Sequence, residues 1–120
     1  MSSLVIWIEK QESKIFQLNP EGVSKTKVTY EGPHHGQDPK LDEEKFYSEL
    51  AHKLQTMNSN EWFIMGPGLA KDHFIHYLAK HHSHMTDNIR GSAKKDIMTD
   101  NQIIQEGALF FRHAHVFSGT

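Results

Sequence analysis

Residues 4–8 read Leu-Val-Ile-Trp-Ile, five apolar side chains in succession. A β-strand sends successive side chains to opposite faces, so a strand without a polar residue is dry on both sides. Such a strand belongs in the middle of a sheet that is covered above and below. Trp62-Phe63-Ile64-Met65 is a second run of the same kind. A chain of 120 residues, 37% hydrophobic and 23% charged, can build one core of this sort, so residues 1–120 are expected to form a single domain. Cysteine is absent. That excludes disulfides, thiolate catalysis and cysteine-based zinc sites.

The remaining segments arrange themselves around these two runs. Residues 14–18 form a short strand rich in β-formers, stopped by Asn19-Pro20-Glu21-Gly22. Residues 23–30 alternate with a weak apolar face, which predicts an edge strand whose lysines discourage further pairing. The short turns between these strands predict an antiparallel meander. Residues 31–41 have loop composition. A helix is expected over about 42–57, with Phe46, Leu50 and Leu54 on one stripe and Asp42, Glu43 and Glu44 in the first turn. Gly66-Pro67-Gly68 ends the second apolar strand, and a helix over about 69–82 follows. Residues 88–94 make a weak strand interrupted by Gly91. Thr99 and Gln102 match a capping box, opening a helix that puts Ile103, Ile104, Gly107, Ala108 and Phe111 on one face. The segment after Arg112 is ambiguous. The order β-β-β-α-β-α-β-α predicts an α/β fold: a mixed five-stranded sheet with helices on its faces, the antiparallel meander followed by parallel crossover strands, as in ribonuclease-H-like proteins.

The sharpest local feature for chemistry is the strand, Gly66-Pro67-Gly68-Leu69-Ala70-Lys71, helix succession. Free N–H groups at a helix start attract anions, and Lys71 would add charge. The same glycines also serve a tight turn, and the Walker spacing is missing. Ten histidines invite a metal reading, with His73 and His76 one helical turn apart and His81, His82 and His84 just beyond. No His-Glu-x-x-His is present, and histidines near a helix C-terminus also complement its dipole. No metal site and no cofactor is assigned. Two-metal nuclease chemistry needs several converging carboxylates. The first strand offers only Glu9 at its far end, Glu61 precedes the second, and Asp96 and Asp100 read as loop and helix-start residues. No Gly-x-Ser-x-Gly elbow is present.

Thirteen Lys/Arg against fifteen Asp/Glu give a formal net charge of −2, without the basic excess of a dedicated nucleic-acid binder. No apolar run approaches the roughly 18 residues of a membrane span. The first ten residues lack the basic region and cleavage site of a signal peptide. A cytoplasmic protein without a membrane partner is the expectation.

Three stretches resemble the middle domain of the eukaryotic and archaeal class-one peptide release factors and their Pelota-type ribosome-rescue relatives. Residues 4–16 resemble the opening hairpin of that family. Residues 62–74, Trp-Phe-Ile-Met-Gly-Pro-Gly-Leu-Ala-Lys-Asp-His-Phe, resemble its strand, glycine-proline-glycine turn, lysine and helix. Thr99–Ile104 with Phe110-Phe111 is also similar to short stand-alone bacterial proteins described as translational-machinery-like. The resemblance covers most of the chain and implies a ribonuclease-H-like mixed sheet.

The resemblance also implies what to seek. In release factors the loop before the first long helix carries Gly-Gly-Gln, which helps water attack peptidyl-tRNA. Here the loop reads Pro33-His34-His35-Gly36-Gln37-Asp38, so His35 replaces the first glycine and acidic residues follow. A Cβ opposes the backbone freedom that glycine has, and carboxylates oppose docking on RNA. Gln37 is therefore a weak catalytic candidate. Pelota-type proteins lack the tripeptide, so a non-catalytic role fits better. The expected partner is the ribosome, an RNA or a translation-related protein. The expected anion- or RNA-binding surface is the Gly66–Lys71 turn (Gly66, Gly68, Lys71) with Lys14, Lys94 and Lys95. The alternatives are a hydrolase or peptidyl-tRNA esterase using the loop around Gln37, and a histidine-rich metal-binding module.

Overall fold

The computed structural model describes residues 2–30 and 39–117. Its elements are β1 (Ser3–Ile8), β2 (Glu12–Asn19), β3 (Gly22–Thr29), α1 (Pro39–Gln55), β4 (Trp62–Gly66), α2 (Ala70–His81), β5 (Ile89–Lys94) and α3 (Asp100–Phe117). The predicted order and the mixed five-stranded sheet are both observed. A short 3-10 segment, Ser83–Asn88, precedes β5 and buries Met85. Periodicity has no means of showing it, because the segment is short and polar apart from Met85.

The sheet runs β3-β2-β1-β4-β5. β1 pairs antiparallel with β2 and parallel with β4, in the register Leu4↔Trp62 through Trp7↔Met65. The two apolar runs therefore lie side by side in the middle of the sheet. Leu4, Ile6, Ile8, Trp62 and Ile64 face α1 and α2, where they meet Phe46, Leu50, Phe74 and Leu78. Val5, Trp7, Phe63 and Met65 face α3, where they meet Ile103 and Phe111. Two-sided cover is what an unbroken apolar strand demands, and each such buried side chain stabilises the fold by about 2 kcal/mol. Both tryptophans are core residues, each 1% exposed.

β3 is the predicted edge strand, exposed along its first half, and β5 forms the other edge. α1 starts at Pro39, three residues before the predicted start, because proline's fixed φ suits the first helical turn. Glu43 and Glu44 therefore fall past that turn, and Asp42 is buried, accepting a 2.9 Å hydrogen bond from the Tyr30 hydroxyl. The capping box at α3 is complete: the Thr99 N–H donates to Gln102 Oε1 (2.9 Å), and the Gln102 N–H donates to Thr99 Oγ1 (3.2 Å). Of the face predicted for α3, Ile103, Gly107 and Phe111 are buried, Ile104 is half-buried and Ala108 is exposed. The helix runs through the ambiguous segment after Arg112 to Phe117.

Candidate functional site

β1, β4 and β5 are parallel, so their carboxyl ends share one edge of the sheet. The chain leaves β1 through Glu9 and Lys10 toward β2. It leaves β4 through Pro67–Leu69 into α2 and over toward β5. The exits of two neighbouring strands thus diverge, and a crevice opens between them. In open α/β sheets this is the usual place for a ligand. The crevice here is a cavity of about 470 Å³ lined by Glu9, Lys10, Tyr47, Gly68, Leu69 and His73, among others. A second hollow of about 250 Å³ runs on along the seam of α1 and α2, sharing Glu43, Tyr47 and His73 with the first and reaching Tyr77, Lys80 and His81.

Glu43 organises the shared wall. Its Oε1 lies 3.3 Å from Nδ1 of His73. The Tyr47 hydroxyl also bonds to Glu43. Burial, then the Glu43 charge, then that hydrogen bond push the Tyr47 phenol well above its ordinary pKa. Tyr47 therefore stays a neutral hydroxyl beside Glu43. Glu43 and Tyr47 are four residues apart on one helix, a spacing visible in sequence. His73 comes from another helix, and nothing local announces it.

The residues singled out from sequence are placed as follows. Gly66 is buried at the end of β4, where a Cβ would overlap the Ile8 carbonyl oxygen. Its own carbonyl accepts from the Lys95 N–H at 3.0 Å. Gly68 is exposed, with nothing within 4 Å of a Cβ built on it. Its φ is not in the left-handed region, so neither packing nor conformation requires glycine there. Lys71 is 6% exposed, with its ammonium 2.9 Å from Asp72. Lys14 and Lys25 grip the two oxygens of Asp100 at 3.0 and 2.7 Å. Those two bonds, Lys25's the stronger, hold the Asp100 carboxyl below the usual carboxylate range. Lys95 lies 3.4 Å from Glu106, and Lys94 is exposed beside Gly66 in the β4–β5 register. Gly66, Gly68, Lys94 and Lys95 thus share the carboxyl edge, while Lys14, Lys71 and Lys95 each rest on a carboxylate. The loop with Gln37 lies outside the described residues.

Among the described residues no three or more histidine, aspartate or glutamate side chains converge on a point suited to a metal ion. The rings near the end of α2 pack against one another at tilted angles: Tyr77 is 4.7 Å from His81 and 5.9 Å from His82, centroid to centroid. No helix in the described residues is long and apolar enough to cross a membrane.

No protein-family model matches the sequence, and no curated protein matches it. Solved structures do. Pelota from Archaeoglobus fulgidus superposes with a TM-score of 0.67 at 19% identity, over 87% of this chain and 29% of Pelota. The fold is that of the release-factor and Pelota middle domain. An archaeal translation termination factor, aRF1, gives a TM-score of 0.56 at 15% identity, over 98% of this chain and 41% of that one. A structure described as an archaeal protein gives 0.56 at 16% identity with the same coverage. The chain therefore spans less than half the length of each of these proteins.

Proposed function

We propose that this chain is a non-catalytic, translation-associated binding domain that docks on the ribosome, an RNA or a translation factor. One observation carries the reading: nearly the whole chain takes the fold found within an archaeal translation termination factor. The surface assigned to docking is the carboxyl edge around the Gly66–Lys71 turn, Lys94 and Lys95, of which Gly68 and Lys94 are exposed. Lys14, the remaining lysine of that surface, is paired with Asp100 at the start of α3.

The test is sedimentation of the purified protein with ribosomes through a sucrose cushion at 50 mM salt, then at rising salt. Co-sedimentation that weakens with salt, and weakens further in Lys94→Glu/Lys95→Glu, supports the reading. Loss of all association at low salt, with ribosomes and with RNA alike, overturns it. Peptidyl-tRNA hydrolysis is measured alongside for the wild type and Gln37→Ala. Equal background rates are expected, and a faster wild type would restore the esterase alternative.

A further inference from the structure

The sheet has two free edges, and their charges are treated differently. On β3 the lysines are answered within the chain, Lys25 by Asp100 and Lys27 by Glu12. On β5 the cations are not. Among the described residues neither Arg90 nor Lys94 rests on a carboxylate, and Arg90 donates instead to the Asp87 carbonyl at 2.8 Å. The strand itself holds no acidic residue, and Asp87 and Asp96 lie beyond its ends. Its backbone is open as well. The Lys95 N–H donates to the Gly66 carbonyl at 3.0 Å. By the alternation of a strand, the N–H and C=O groups of Ser92 and Lys94 then point the other way, where no further strand lies among the described residues. The two faces of β5 also differ. Ser92 and Lys94, level with Ile64 and Gly66, are exposed on the α1–α2 side. Gly91 and Ala93 are on the α3 side, where half-buried Phe110 lies against Gly91 and stacks on Phe63 at 4.1 Å.

We infer that β5 receives an extended segment of a partner protein as a sixth strand, acidic on its α1–α2 face and apolar on its α3 face. The inference rests on the binding-domain reading above and selects a protein partner within it. An added strand takes its affinity from main-chain hydrogen bonds, here to the outward groups of Ser92 and Lys94, and its specificity from side chains at alternate positions. A carboxylate opposite Lys94 supplies the missing counter-charge, and an apolar residue on the other face packs beside Phe110. The register shift between Trp62 and Phe63 leaves residues 91–94 as the regular part of this edge. A second copy of this chain fits poorly. Antiparallel pairing about Ser92 would bring each Arg90 against the other copy's Lys94, and like charges directly opposite repel. An RNA strand fits poorly too, because its phosphates accept hydrogen bonds but cannot donate to the outward carbonyls.

The experiment titrates isotope-labelled protein with a capped hexapeptide of alternating glutamate and valine, the same peptide with lysine in place of glutamate, and an unstructured RNA octamer, reading backbone amides by NMR. The glutamate peptide is expected to shift the amides of 91–94 and to slow hydrogen exchange at Ser92 and Lys94, with the lysine peptide roughly tenfold weaker or worse. Ser92→Pro removes one outward N–H and leaves the β4 ladder intact, a substitution that an edge strand tolerates. It should weaken the glutamate peptide by roughly 2- to 12-fold, the worth of one hydrogen bond. Lys94→Gln should weaken it to a similar degree and keeps the test open if thermal melts show the proline variant to be unfolded. If the glutamate peptide leaves 91–94 unshifted, or binds the folded variants as tightly as the wild type, the inference falls. If RNA shifts Arg90 and Lys94 without slowing exchange at Ser92, and the peptide does not bind, the edge is a phosphate contact and the inference falls, while the binding-domain reading stands. Ribosome sedimentation of the same wild-type preparation separates the two failures, since association there without peptide binding overturns only the strand-addition site.

Discussion

Gly107 of α3 sits directly on Val5 of β1: a Cβ at position 107 would run into both methyls of the valine. The helix rests on the central strand at this point, and hydrogen is the only substituent that fits.

Gly107→Ala should therefore destabilise the protein although alanine is the better helix former by about 1 kcal/mol. Overpacking a tight core costs about 1–3 kcal/mol, and Val5 is a stiff β-branched residue that cannot swing aside. A fall in melting temperature of several degrees is expected. Val5→Ala in the same chain should recover part of it, measured as a coupling in a double-mutant cycle.

The two glycines of one turn should behave oppositely. Gly66→Ala drives a methyl into the Ile8 carbonyl, a backbone atom shared with the central pairing, and should unfold the protein or cost several kcal/mol. Gly68→Ala meets open space at an ordinary φ and should be neutral, or stabilising by about 0.5 kcal/mol through the unfolded chain. Urea titrations of the two variants decide it.

The Asp100 carboxylate, held by Lys25 and Lys14, has its folded pKa below the unfolded value near 4. Its contribution is thus fully present above the unfolded pKa and is lost as pH falls through the folded one. The stability gap between wild type and Asp100→Asn should be constant from pH 7 down to about pH 5 and close below pH 4. High salt should shrink it, because these groups are partly exposed. Chemical denaturation across that pH range reads the sign directly.

Thr99→Ala removes the hydroxyl that accepts from the Gln102 N–H, and with it half of the reciprocal cap. A loss of about 1 kcal/mol is expected. Hydrogen exchange should speed up first at the amides of the opening turn of α3.

The central strands and the cap were legible in sequence because each depends on local pattern: two-sided apolarity in 4–8 and 62–65, and a three-residue spacing in Thr99–Gln102. The early start of α1 was obscured because the acidic residues at 42–44 look like a first turn and Pro39 looks like part of a loop. The fate of the lysines was only partly legible. Lys14 finds Asp100 across 86 positions, and Lys71 is buried with its ammonium beside Asp72. Nothing near Lys14 in sequence says that its charge is answered, whereas the partner of Lys71 is its own neighbour. The Glu43–Tyr47 half of the wall shared by the two hollows was in plain sight at helical spacing. His73 joins it only because α1 and α2 lie on the same face.

β1 also governs how the domain comes into being. Its hairpin with β2 closes within 19 residues of the first, whereas its other flank waits for β4, some 58 positions downstream. During synthesis the nascent meander would carry an oily, unsatisfied border until that later stretch is released from the exit tunnel. Slow elongation between residues 30 and 60 would lengthen this interval, making it the time at which self-association competes most strongly with completion of the sheet.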